Sequence, residues 1–191
     1  MTDNMYELYL NHHGGDGSAA EVWIDKTAGL VKKLYKLDGI TIAGRPPMPT
    51  TIEKITELYQ SDVYWTDVLQ SPHVLPIIDH GSIGEQPGYY VIQPYVGPDL
   101  LQYYVAGNLH AEFPDIVDQL IEMFGLFKEH GVHKINNALS NLTGSHGKIA
   151  AFDFKYTHLR SDHSRPMELS SITKWLCKID DRLYTLLEGL V

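Results

Sequence analysis

Apolar and polar positions change period along the chain, and those changes mark out its elements. Residues 20–24 and 30–37 are short runs of β-branched and aromatic side chains with turn residues at 26–29 between them, which predicts a hairpin. A glycine-rich turn, Gly14-Gly15-Asp16-Gly17-Ser18, precedes it. Arg45-Pro46-Pro47-Met48-Pro49 is a loop, because proline lacks the N–H that helix and sheet interiors need. From 52 to 69 the period becomes helical, with Ile52, Ile55, Leu58, Tyr59, Val63 and Leu69 on one side. Thr50 or Thr51 is the cap, and Ser71-Pro72 is the stop. Residues 75–80 and 89–95 predict two more strands joined by a turn over 81–88. Gly97-Pro98 breaks the chain and divides it into lobes at 1–96 and 97–191.

Beyond that break the pattern is mostly helical. Residues 99–106 predict a short helix. Residues 114–129 predict a longer one, carrying Ile116, Leu120, Phe124 and Phe127 and closed by Gly131. A short apolar stretch, 149–154, follows Gly147, and 169–190 predicts a terminal amphipathic helix. Strands, helix, strands and then helices make an α+β chain of two lobes with a cleft between them. No internal repeat interrupts that order.

Composition narrows the function classes. The 191 residues are 43% hydrophobic and 20% charged, an ordinary globular balance. No apolar run approaches the ~18 residues of a membrane span, and the first residues lack a basic-then-apolar leader, so a membrane role is not expected. The single cysteine, Cys177, excludes an internal disulfide and any CxxC motif, which points to a cytoplasm. Net charge is −9, and it is uneven: between Lys54 and Lys128 there is no lysine or arginine, against ten carboxylates. Such a stretch would repel phosphates, so a nucleic-acid partner is not expected. It suits a solvated acidic surface first, and could also attract a basic protein partner. The histidines (His12-His13, His130 with His133, His158 with His163) form no paired ligand set for zinc. Trp23, Trp65 and Trp175 suit core or interface positions better than cofactor stacking.

The chemistry-bearing motifs start at the hairpin. Gly15-x-Gly17-x-x-Ala20-x-Val22 opens onto a strand, whereas a dinucleotide fingerprint opens onto a helix. A Walker loop is absent, since Gly147-Lys148 is followed by Ile149. What remains is either a glycine turn without a ligand or a flap whose amides could cover a triphosphate. Lys33 lies eleven residues past Val22, and strand alternation puts it on the same face as Val31. Val31 could roof a purine while the ammonium pairs phosphates. Lys32 would point outward, unless a bulge reverses the two.

Taken together, these features resemble the protein-kinase-like superfamily, in a form as small as the minimal kinases that enteric pathogens inject as effectors. The helix over 52–69 followed by Ser71-Pro72-His73-Val74 resembles the family's αC helix and its exit, with Asp62 at the helix-glutamate position and Glu57 one turn earlier. Tyr89-Tyr90-Val91-Ile92-Gln93-Pro94-Tyr95-Val96 resembles the fifth strand and hinge, with Gln93 as gatekeeper and Val96 offering its amide to an adenine. Residues 130–142 and 148–155 resemble the catalytic loop and the DFG strand, placing Asn141 and Asp153 at the magnesium positions. The resemblance implies a bilobal kinase-like fold, with an antiparallel sheet plus αC in the first lobe and a truncated helical second lobe. It implies ATP and Mg²⁺ as cofactors, with Gly15, Gly17, Ser18, Val22, Val31, Lys33, Asp62, Gln93 and Val96 around the nucleotide.

The departures are as informative. The catalytic aspartate position, five before Asn141, holds Asn136, and no Asp or Glu occurs from His130 to Phe152. An amide accepts no proton at neutral pH, so general-base help worth roughly 10²–10⁴-fold is missing. An amide here is also what an inactivating Asp→Asn replacement would leave. The third flap glycine is Ala20, the loop lysine is Ala138, and DFG reads Asp153-Phe154-Lys155. Asp180-Asp181-Arg182 loosely resembles the segment whose aspartate props the catalytic loop. With Lys33, Asn136 and Asp153 as the catalytic positions, the expectation is a degenerate Mg·ATP-binding kinase acting on a protein partner. An active Ser/Thr kinase that needs its partner and a nucleotide-free interaction module are the alternatives.

Overall fold

In the computed structural model, which describes residues 7–8, 20–37, 51–84 and 87–191, the expected hairpin pairs β2 (Ala20–Asp25) with β3 (Leu30–Lys36). Gly29, at φ 67°, supplies the left-handed residue that closes its turn. A two-residue strand, β1 (Glu7–Leu8), pairs with the outer side of β2. The chain then enters α1 (Ile52–Val68), whose Thr51 hydroxyl accepts a hydrogen bond from the Lys54 N–H at 3.2 Å. The strands β4 (Asp79–Ser82) and β5 (Gly88–Pro94) complete an antiparallel sheet of order β1-β2-β3-β5-β4. Gly15, Gly17 and Ser18 lie outside the described residues, as does the proline-rich loop.

The strand expected over 75–80 begins instead at Asp79. Pro76 offers no N–H to a ladder, and Val74 and Leu75 pair with Ala151, the Leu75 N–H donating to its carbonyl at 2.9 Å. The chain accordingly divides into two units. One holds the described residues up to Tyr64 together with Pro76–Tyr95; the other holds Trp65–Leu75 and Val96–Val191.

The second unit is built on α4 (Ile116–Glu129), whose Leu120, Met123, Phe124 and Phe127 are all at most 1% exposed. Two short helices precede it, α2 (Leu100–Val105) and the unforeseen α3 (Leu109–Glu112). Asp99 caps α2, its Oδ1 accepting from the Gln102 N–H at 3.1 Å. Gly131, at φ 65°, ends α4 in the left-handed conformation. Two small antiparallel pairs follow: β6 (Val132–Lys134) with β9 (Thr157–Leu159), and β7 (Leu142–Ser145) with β8 (Lys148–Ala151). His146 and Gly147, at φ 50° and 75°, make the two-residue turn of that second hairpin. The buried Gln119 amide clamps it to α4, donating to the Gly147 carbonyl at 2.8 Å and accepting from the Ile149 N–H at 2.9 Å.

The single terminal helix expected over 169–190 is three pieces: α5 (Ser164–Trp175), a 3₁₀ turn at Leu176–Lys178, and α6 (Leu183–Leu187). α5 starts five residues early because Pro166 falls in its first turn, where a missing N–H costs nothing. The break comes where Asp180 Oδ1 accepts from the Arg182 N–H at 2.9 Å, a local bond that competes with helix. Among the described residues no helix is long and apolar enough to cross a membrane.

Close approach within the second unit is concentrated at Gly144. A Cβ there would lie 2.5 Å from the Phe113 ring and 2.7 Å from the Lys148 carbonyl oxygen. Gly144→Ala is therefore expected to destabilise the protein by about 1–3 kcal/mol, the usual range for overpacking. A fall in the urea midpoint would show it, and an unchanged midpoint would contradict the packing.

Candidate functional site

In the first unit the pairing register puts Val22 and Val91 opposite Lys33, and Gln93 opposite Val31. Alternation along β3 places Val31 and Lys33 on one face, so Val22, Val31, Lys33 and Gln93 share a face of the sheet. Lys33 is 4% exposed, and its Nζ donates to Asp62 Oδ2 at 3.0 Å. The Tyr35 hydroxyl donates to the same oxygen at 2.7 Å. Asp62 is fully buried on α1, and a buried carboxylate is tolerable only with such donors around it. Lys32 takes the other face, its ammonium 5.5 Å from the centre of the Tyr90 ring. Glu57 is exposed and meets Lys54 at 2.9 Å, so Asp62 is the helix carboxylate that reaches Lys33.

In the second unit the β7–β8 hairpin brings two distant positions together. Asn141 ends the 3₁₀ turn Leu139–Asn141 just before β7, and its carbonyl accepts from the Phe152 N–H at 3.1 Å. Asp153 follows one residue later, at φ 63° and 7% exposed. Asp is among the few non-glycine residues that tolerate this left-handed conformation. The carbonyl of Asn136 gathers two donors, Lys134 Nζ at 2.6 Å and Asn141 Nδ2 at 3.3 Å. Asp153 Oδ2 pairs with Lys155 Nζ at 2.8 Å. Val96 belongs to this unit and is 36% exposed.

The loop carrying Asn136 is held from behind by α5. Ser164, Glu168 and Ser171, at spacing i, i+4 and i+7, present three polar groups from one face of that helix. Glu168 Oε1 accepts from the Lys134 N–H at 2.8 Å, and Ser171 Oγ accepts from the Asn137 N–H at 2.8 Å. Ser164 Oγ lies 2.7 Å from His133 Nδ1, and the Asn137 side chain donates to the Lys134 carbonyl. Asp180 and Asp181 take no such part: Asp180 pairs with Arg182 at 2.6 Å, and Asp181 is exposed. The residue that props the loop is Glu168. Apolar periodicity missed it, because the buried face of α5 is largely polar.

No protein-family model matches the sequence, and no curated protein matches it. Solved structures do match, 1434 chains of them, so the architecture is widely shared and carries no function by itself. One is WbdD, co-crystallised with the kinase inhibitor LY294002. It superposes with a TM-score of 0.62 over 92% of this chain at 11% identity. The fold is protein-kinase-like. This chain spans 43% of the length of that WbdD chain.

Within this kinase-like fold the buried polar groups behind the loop titrate far from their ordinary values. Burial pushes the Glu168 carboxyl up to about 8, against opposing hydrogen bonds and cations. Burial, then the charges of Arg160 and Arg165, pushes the His133 imidazole down to about 4. Although His133 Nε2 is 3.8 Å from Glu168 Oε2, both groups are neutral at pH 7.

A pH signature follows. Between 4.5 and about 8 the folded chain holds a Glu168 proton that the unfolded chain has lost, so stability falls as pH rises through that window. Between 6.5 and about 4 the unfolded chain holds a His133 proton that the folded chain does not, so stability falls as pH drops. The two slopes cancel from 4.5 to 6.5, and the Glu168 slope stands alone from 6.5 to about 8. Thermal midpoints should be level over the first range and decline over the second. In Glu168→Gln the alkaline decline should vanish and an acid decline should begin at 6.5. An unchanged profile in that variant would contradict the assignment.

Proposed function

We propose that this chain is a minimal, degenerate kinase-fold protein that binds ATP, transfers phosphoryl groups weakly or not at all, and acts through a protein partner. The observation that carries the reading is the buried Lys33–Asp62 pair with Tyr35 on the same carboxylate oxygen. Ion pairs this deeply buried contribute little to stability, because desolvation offsets their attraction. Retaining one on the sheet face shared with Val22, Val31 and Gln93 is accounted for by a phosphate-pairing ammonium held at a fixed position. Asn141 and Asp153 are the residues that would hold magnesium, which would offset the negative charge of nucleotide phosphates. Their chemistry fits: one carboxylate, and one amide whose Nδ2 is already turned to the Asn136 carbonyl.

Catalytic weakness follows from Asn136, whose side-chain amide takes up no proton. Glu168 offers no substitute, since it is fully buried behind the loop and bonded to its backbone. The partner surface we favour is acidic: Asp115, Asp118 and Glu122 are exposed along α4 at spacing i, i+3 and i+7, which suits a basic protein.

Calorimetric titration of ATP with magnesium into the wild-type chain and into Lys33→Met tests the reading. Micromolar binding that falls by about tenfold or more in the folded variant is expected, tenfold being about 1.4 kcal/mol. A folded wild-type chain that binds no nucleotide would overturn it. Asn136→Asp should restore a base and raise phosphoryl transfer by about 10²–10⁴-fold, measured as phosphate incorporated by intact mass. No gain in that variant would place the catalytic defect elsewhere.

A further inference from the structure

The second unit resumes at Val96, the residue whose amide the nucleotide reading offers to an adenine. Among the described residues the Val96 N–H makes no hydrogen bond, and Val96 is 36% exposed, so this donor stands open. The two residues after it are held against β7. Thr143, 5% exposed, carries a hydroxyl that donates to the Gly97 carbonyl at 3.1 Å and to the Pro98 carbonyl at 3.0 Å, a three-centre bond. Beside it the two backbones meet. A Cβ on Gly97 would lie 2.6 Å from the Gly144 carbonyl oxygen, so the approach requires glycine. Asp99 bridges to Thr143 and caps α2, which fixes the chain again immediately beyond Pro98.

Glycine is the residue with the widest choice of backbone conformations, and here it adjoins the open donor. A hydroxyl bonded to the carbonyls on either side of the Gly97–Pro98 junction removes that choice. Hydrogen bonds weaken steeply as they bend, so a donor serves a rigid aromatic base best when its direction is set before binding. We propose that Thr143 is a positioning residue for a purine base: by anchoring Gly97 and Pro98 it presets the Val96 N–H toward a ring-nitrogen acceptor. The inference rests on the nucleotide reading above and names the part of the ligand that Thr143 serves.

The test combines calorimetric titration of ATP with magnesium and amide correlation spectra that follow the Val96 N–H, on wild type, Thr143→Val and Thr143→Ser. Valine keeps the shape of threonine without the hydroxyl, serine keeps the hydroxyl, and circular dichroism checks that each folds. In wild type, ATP should move the Val96 amide proton downfield as its hydrogen bond forms. Thr143→Val should bind ATP about tenfold more weakly, with its Val96 resonance displaced or broadened before ATP is added, while Thr143→Ser stays within about threefold. A hydroxyl with a merely structural role would lower the thermal midpoint of Thr143→Val but leave affinity and the Val96 resonance as in wild type, and that result would overturn the inference. Equal losses in the two variants would overturn it too. So would ATP binding to wild type that leaves the Val96 amide unmoved, a result that needs neither variant and leaves nucleotide binding standing. Absence of ATP binding by folded wild type would remove the nucleotide reading itself, and this one with it.

Discussion

Backbone amides in a buried loop must find acceptors, and in the second unit that requirement is met by one carboxyl and one hydroxyl from α5. The N–H groups of Lys134 and Asn137 would each be costly to bury unpaired, and Glu168 and Ser171 receive them. The loop conformation that results turns the Asn136 carbonyl toward Lys134 Nζ and Asn141 Nδ2. Asn141 in turn receives the Phe152 N–H, and Asp153 comes next in the chain. Through that loop, α5 is linked to the hydrogen bond between the Asn136 carbonyl and Asn141 Nδ2. A carboxyl suits this duty because burial holds Glu168 in its neutral form, which avoids an unpaired buried charge.

The first unit meets the same problem with a different solution. Lys33 and Asp62 are both charged groups out of water, and each alone would be costly. Together with the Tyr35 hydroxyl they make a local set whose members come from β3 and α1, elements separated by a proline-rich loop in the sequence. The set fixes where α1 sits against β3, through a carboxylate with two donors at 3.0 and 2.7 Å.

Much of this was legible in the sequence wherever a face is apolar. Leu120, Phe124 and Phe127 recur at helical spacing on α4, and Val31 with Lys33 alternates on β3, so these elements were legible from period, which sets Lys32 and Lys33 on opposite faces but does not by itself choose between them. Asp62 could be counted back from Pro72. Periodicity failed where the buried face is polar or the element is too short for a period. α5 buries Ser164, Glu168 and Ser171 beside Ile172, so an apolar search starts the helix late and passes over Glu168. β6 and β9 have three residues each, fewer than two full alternations. Lys155 was visible as a departure from the DFG pattern, but its ion pair depends on a left-handed Asp153 that no local pattern announces.

Two departures from the kinase pattern that look independent in the sequence are related by charge. The position that resembles the family's base holds Asn136, an amide that takes up no proton. The position two after Asp153 holds Lys155, whose ammonium lies 2.8 Å from Asp153 Oδ2. One change removes a carboxylate from the loop, and the other sets a cation beside a carboxylate that is 7% exposed. A carboxylate so poorly solvated is costly without such a neighbour. Both changes therefore lower the negative charge of the second unit's polar cluster, one by deletion and the other by pairing.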